Sequence, residues 1–121
     1  MKLARQYYLE KNPPEPQRSR FISRTKSYHG ITLGALSVGG HAYRRQHFEP
    51  MLLQNVSQVS PCFEYRGKRK GESDKQYVAR LAAELDAEFQ RVGPDTVAAF
   101  VAEPVVGAVS RIEWPHLRSE E

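Results

Sequence analysis

The chain has 121 residues, 40% of them hydrophobic and 26% charged, with eight glycines and eight prolines; this is room for one domain or part of one, and it excludes a disordered tail or a collagen-like repeat. No apolar run approaches the roughly 20 residues that cross a bilayer, residues 1–11 lack the apolar stretch of a secretory signal, and the single cysteine, Cys62, excludes an intrachain disulfide and a cysteine-rich metal site. The net charge of +4 divides into a basic front, nine Lys or Arg against two acids over residues 1–48, and an acidic back, five against ten over residues 71–121, an asymmetry that bears on solubility and association rather than on fold.

Leu3, Ala4, Tyr7 and Tyr8 fall at helical spacing, so residues 1–11 read as a helix that begins without an N-cap, as in a sequence entered inside a helix. Lys2, Arg5 and Lys11 give it a trace of transit-peptide character, which Glu10 and the lack of serine weaken. Asn12-Pro13-Pro14-Glu15-Pro16 must end it, because proline has no backbone donor and restricts the residue before it. Residues 13–16 fit a PxxP motif, but they fit better as a helix-to-strand connection of polyproline character. Phe21-Ile22-Ser23-Arg24 is a strand candidate, Thr25-Lys26-Ser27-Tyr28-His29-Gly30 a polar loop, and residues 32–38 a second helix stopped by Gly39-Gly40.

Residues 56–61 hold a short strand candidate, and Arg66-Gly67-Lys68-Arg69-Lys70-Gly71 reads as a solvent-facing basic turn. Val78, Leu81, Leu85, Phe89 and Val92 then recur at steps of three and four, Ser73 with Gln76 makes a capping box, and Gly93-Pro94 is a stop, so residues 74–91 form a long amphipathic helix that must pack on a sheet. Val97-Ala98-Ala99-Phe100-Val101-Ala102 has no polar residue and no alternation, which predicts a strand covered on both faces as in a parallel sheet. Alternating strands and helices give an α/β fold: a partial three-layer sandwich, a short parallel sheet flanked by helices. The mean hydropathy of -0.62 is low for a self-sufficient core.

In parallel sheets ligands bind at the carboxyl ends of strands. Two loops qualify here, one with Tyr28, His29 and Gly30, the other with Glu103. Tyr28 has a flat ring with a polar tip, suited to stacking on a heteroaromatic ligand or to packing at a sheet edge. His29 suits a general base or a structurally bonded imidazole, with no companion at metal-ligand spacing. Gly30 lets backbone approach closely. Glu103 leaves a buried strand, so its carboxylate must be paired, either to serve a site or to orient the Pro104 turn. Gly34 to Gly40 lacks the Lys-Ser/Thr pair of a phosphate loop, and its glycines suit close helix packing instead.

Taken in order, Lys2-Leu3-Ala4-Arg5-Gln6-Tyr7, Ser27-Tyr28-His29-Gly30 with Thr32-Leu33-Gly34-Ala35, Phe48-Glu49-Pro50, and Phe100-Val101-Ala102-Glu103-Pro104-Val105-Val106-Gly107 resemble class III aminotransferases over residues 1–108. The resemblance implies an internal fragment of a fold type I large, cofactor-binding domain, with residues 109–121 a tail unlike the family. It implies pyridoxal phosphate as cofactor, a homodimer, and transfer of an amino group between an amine or amino acid and a keto acid. By position Tyr28 stacks on the cofactor ring, His29 and Gly30 shape the same loop, and Glu103 lies beside the cofactor. It further implies that strands near residues 20–25, 57–61 and 97–102 form a parallel sheet with the first in the middle, bringing the Tyr28 and Glu103 loops to one edge. The Schiff-base lysine belongs beyond Glu103, so no catalytic residue is expected among Lys2, Lys11, Lys26, Lys68, Lys70 and Lys75, and the chain alone is expected to be inactive. An intracellular site, cytoplasmic or mitochondrial, is expected, with no metal, no membrane and no nucleic-acid partner.

The competing reading is a small non-catalytic remnant that binds anionic, phosphate-rich or nucleic-acid partners through its basic residues 18–45. The two separate in an anisotropy titration with a labelled oligonucleotide. The aminotransferase reading expects no binding, or a flat salt response; a steep loss of affinity between about 50 and 200 mM salt would favour the binding protein.

Overall fold

A computed structural model describes residues 1–107; the expectation of a tail over residues 109–121 lies outside the described residues. Helix α1, Lys2–Glu10, has no side-chain cap at its start and ends where Lys11 turns extended ahead of the prolines. Its Arg5 donates to the carbonyls of Pro16 at 2.6 Å and Arg18 at 2.8 Å. Arg18 in turn stacks over the Tyr8 ring and donates to Pro94 and Val97 carbonyls at 3.0 and 2.9 Å. Glu15 accepts from both Lys11 and Arg18, which lower its carboxyl below the ordinary range. The connection is thus tied at both ends and delivers the chain to the sheet at a fixed point.

Strand β1, Arg20–Arg24, is followed by α2, Leu33–Val38, the short α3, Ala42–Arg45, a 3-10 turn at Glu49–Met51, and β2, Val56–Val59. Then come α4, Glu64–Gly67, the long α5, Asp74–Val92, a 3-10 turn at Pro94–Thr96, and β3, Val97–Val101. The strands pair in parallel in the order β2-β1-β3, with Ile22 opposite Ser57 on one side and Phe100 on the other. This is the arrangement expected from the sequence, β1 in the middle.

Successive residues of β1 face opposite ways. Ile22, wholly buried, joins Val59 and Val97 in a core onto which Leu85, Phe89 and Val92 of α5 pack. The other face carries buried Ser23, whose hydroxyl donates to the Val38 carbonyl at 2.6 Å, so α2 covers that side. Helix, sheet and helix make three layers.

Several local expectations are corrected. Val78 of the proposed stripe is 59% exposed, and Tyr77 is buried in its place, because its hydroxyl accepts from the Phe63 amide at 2.9 Å and Arg80 stacks on its ring. Arg66 and Gly67 belong to α4 rather than to a free turn. A Cβ on Gly67 would sit 2.5 Å from the Tyr77 hydroxyl oxygen, and Arg80 donates to the Gly67 carbonyl and to both oxygens of Glu72. That guanidinium, with a bond from the Arg69 amide, holds the Glu72 carboxyl down to about 2. The capping box at Ser73 and Gln76 forms as expected, and Gly93, at φ +89, stops α5. Gly39, by contrast, ends α2 with φ -62, so no left-handed cap is used there. Only Val97 and Ala98 of β3 are buried and Ala99, Phe100 and Val101 are half-buried, β3 being an edge strand of the sheet among the described residues.

Eight hydrophobic residues are buried among those described, while Leu3, Ile31, Tyr43, Tyr65 and Val105 are each more than three-quarters exposed. A domain's margin is about 5–15 kcal/mol, and each large apolar side chain left in water forfeits roughly 1.5–3 kcal/mol. The chain expressed alone should therefore melt without a sharp transition, binding a hydrophobic dye while α5 keeps far-ultraviolet helical dichroism. A cooperative thermal transition of a soluble monomer would contradict this.

Candidate functional site

Parallel pairing puts the ends of β1 and β3 side by side, and the loops that follow them meet. The Tyr28 amide donates to Glu103 Oε2 at 3.1 Å, across 75 residues of sequence. This joins the two loops that the sequence singled out.

The loop after β1 is held from three directions. The Thr25 amide donates to the Val59 carbonyl at 2.9 Å, continuing the ladder toward β2. Lys26 adopts φ +55, a left-handed conformation that costs a residue with a Cβ about 1–2 kcal/mol, and its amide donates to the Gly40 carbonyl at 3.0 Å. Ser27, 3% exposed, donates from its hydroxyl to the Arg24 carbonyl at 2.6 Å, and its carbonyl and hydroxyl oxygens both accept from the Gly40 amide. Gly40 is a close approach: a Cβ there would lie 2.4 to 2.7 Å from backbone atoms of Arg24, Thr25 and Lys26. Its role is to pack against the backbone of this loop, where the sequence reading expected the glycines of residues 34–40 to permit close helix packing.

Beyond that anchor, Tyr28 and His29 are half-buried. Arg44 lies over the Tyr28 ring, 4.8 Å from its centroid, a cation on one aromatic face. His29 Nε2 is buried and has no hydrogen-bond partner among the described residues, and a buried polar atom so left costs about 1–3 kcal/mol. Gly30 takes φ +121, where a side chain is strained, and a Cβ would sit 3.1 Å from Ala35 Cβ. Thr32 then caps α2, accepting from the Ala35 amide at 3.3 Å.

The four residues named from the sequence are therefore brought together at one sheet edge. Sequence reasoning missed three others. Arg44 and Arg45 sit in a basic stretch that reads as solvated surface, and Gly40 reads as a helix stop. Of the nine basic residues of the front, five are arginines that make contacts within the fold: Arg5, Arg18 and Arg45 bond to carbonyls, Arg24 lies over Phe100, and Arg44 lies over Tyr28. Among the described residues no cluster of three or more His, Cys, Asp or Glu fits a metal, and no helix is long and apolar enough to cross a membrane.

The sequence profile of the class-III aminotransferase family matches residues 1–112. An aminotransferase of Gibberella zeae is 62% identical over 109 residues, covering 89% of this chain and 21% of the relative, and an uncharacterized aminotransferase of Schizosaccharomyces pombe is 54% identical over 101 residues, covering 84% and 22%. The omega transaminase of Pseudomonas jessenii, solved in complex with PMP, superposes with a TM-score of 0.79 at 35% identity, covering 88% of this chain and 23% of that one. The chain spans about a fifth of the length of these relatives. A graft of residues 1–112 into the Gibberella protein in place of its own segment gives a whole molecule in which to test the site. There Glu103→Ala should leave the Tyr28 amide without its acceptor, a loss of roughly 1–2 kcal/mol, and speed hydrogen exchange in the peptide spanning residue 28 several-fold, while Glu103→Gln keeps an acceptor oxygen and most of the protection. Equal exchange in all three proteins would show that the bond does not hold the two loops.

Proposed function

This chain belongs to the class III aminotransferase family, and on that premise we propose that its Tyr28–Glu103 edge binds pyridoxal phosphate and that the intact protein moves an amino group between an amine or amino acid and a keto acid. The observation that carries the reading is the Tyr28 amide bonded to the Glu103 carboxylate, which puts an aromatic ring and a fixed negative charge at the carboxyl ends of adjacent parallel strands.

The residues present fit the cofactor. Tyr28 has one ring face under Arg44, which leaves the other for a heteroaromatic ring. His29 Nε2 lacks a partner among the described residues, so a bound group that reached it would recover the cost of its burial. Gly30 keeps the turn free of a side chain beside Tyr28. Glu103 spends one oxygen on Tyr28 and keeps acceptor capacity for a further donor. When bound, pyridoxal phosphate supplies the electron sink for transamination. The part of this chain is to orient the ring and to hold an acceptor beside it, and both depend on a loop that does not move when substrate arrives. We further propose a homodimeric, intracellular enzyme, supported by the exposed apolar residues of α1, Leu3 and Tyr7, and by the exposed free thiol of Cys62.

We propose further that none of the six lysines in this chain is the attachment point for the cofactor. Lys11 is paired with Glu15, and Lys68 with Glu64 and Asp74, which raise both amines above their ordinary range and favour the protonated, unreactive form. Borohydride reduction of the chain mixed with pyridoxal phosphate, followed by peptide mapping, should find label spread thinly over several lysines, with no amine-dependent change in absorbance beforehand. Stoichiometric label on one lysine would contradict this.

A further inference from the structure

We infer that Arg45 is a positioning residue for the Tyr28–Glu103 edge, acting through the Gly39–Gly40 turn; the inference rests on reading that edge as the cofactor site. Arg45 Nη1 lies 3.0, 2.8 and 2.8 Å from the carbonyl oxygens of Leu36, Ser37 and Gly39, the acceptors that the short helix α2 leaves unsatisfied at its end. Its Nε donates to Glu49 at 3.0 Å. The Arg45 side chain is 18% exposed and that of Glu49 53%, so the guanidinium is the less exposed member of the pair and its charge is directed at the helix terminus.

A helix terminus can be capped without consequence elsewhere, but this one is coupled to the site. Gly39 also accepts from Gln58 of β2 at 2.9 Å, so the turn is fixed to the sheet as well as to Arg45. The next residue, Gly40, exchanges hydrogen bonds with Lys26 and Ser27, and the backbone of residues 24–26 leaves no room for a Cβ on it. Lys26 is held in a left-handed conformation that it would leave if the Gly40 contacts loosened. Two residues later stands Tyr28 with its bond to Glu103. A displacement of the turn therefore passes into the Tyr28 loop rather than into empty space. Lysine cannot replace Arg45 fully, because a single ammonium does not serve three carbonyls on one side and a carboxylate on the other.

The test uses the graft of residues 1–112 in the Gibberella aminotransferase with Arg45→Met, Arg45→Lys and Glu49→Gln, and pyridoxal phosphate as the probe. Cofactor dissociation constant, induced dichroism of the bound cofactor and thermal midpoint are measured for each. Arg45→Met should weaken cofactor binding roughly tenfold, the lower end of what loss of a supporting partner one layer out costs at a metal site, and change the induced dichroism. Arg45→Lys should fall between, and Glu49→Gln should match the unsubstituted graft. A merely structural cap would lower the thermal midpoint of Arg45→Met and Arg45→Lys while leaving affinity and dichroism of the folded protein unchanged, which would overturn the inference. If the unsubstituted graft binds no cofactor, the cofactor reading of the edge fails, and hydrogen exchange over residues 25–30 decides on Arg45: faster exchange in Arg45→Met upholds the linkage, and unchanged exchange removes it.

Discussion

The parallel pairing of β1 with a strand on each side is the constraint on which everything else rests. Parallel neighbours cannot be joined by a tight turn, so the chain must cross over a layer between them. From β1 it passes by way of α2 to β2, and from β2 by way of α5 to β3 on the opposite flank of β1. The second connection crosses back over the central strand, so the carboxyl ends of β1 and β3 lie side by side, at the end of the sheet where open α/β folds bind ligands. The Tyr28–Glu103 bond joins the loops that follow them. Two residues distant in sequence become neighbours because the topology leaves their loops no other place.

Much of this was legible in the sequence, for reasons that can be named. The capping box at Ser73 and Gln76, the three-and-four spacing of Leu81, Leu85, Phe89 and Val92, and the stop at Gly93 are local signals, and they located α5 to within a residue at its end. The apolar run of β3 marked a strand between layers. The order of the strands is not local at all, and it came from the resemblance to class III aminotransferases rather than from any periodicity. The candidate site residues stood out for a mixed reason: Glu103 as a charge ending an apolar run, Tyr28 and His29 as a stackable ring and an imidazole in a loop after a strand, to which the resemblance added the expectation of a cofactor.

What was missed shares one physical cause. Arg45 in a run of basic residues and Arg45 capping a helix have the same sequence signature, and only the position of three carbonyls tells them apart. Tyr77 looks like a surface aromatic until Gly67 and Arg80 are seen to close around it. Gly40 reads as punctuation, yet its missing side chain matters because the backbone of residues 24–26 fills the space. In each case the deciding partner lies 10 or more residues away in the sequence or belongs to the backbone, which composition does not describe.

On the proposed reading, the edge between β1 and β3 is a cofactor site supported from behind by α2 and the turn that follows it. Its parts have distinct tasks: the sheet sets the position of the loops, Ser27 and Gly40 lock the strained Lys26 backbone, and Tyr28 and Glu103 present a ring and a carboxylate. The most direct measurement is a crystal structure of the graft of residues 1–112 in the Gibberella aminotransferase with pyridoxal phosphate bound. The account predicts the cofactor ring stacked on the face of Tyr28 away from Arg44, with centroids roughly 4.5–7 Å apart and Glu103 beside it. A cofactor seated elsewhere, with Tyr28 and Glu103 both out of contact, would contradict it.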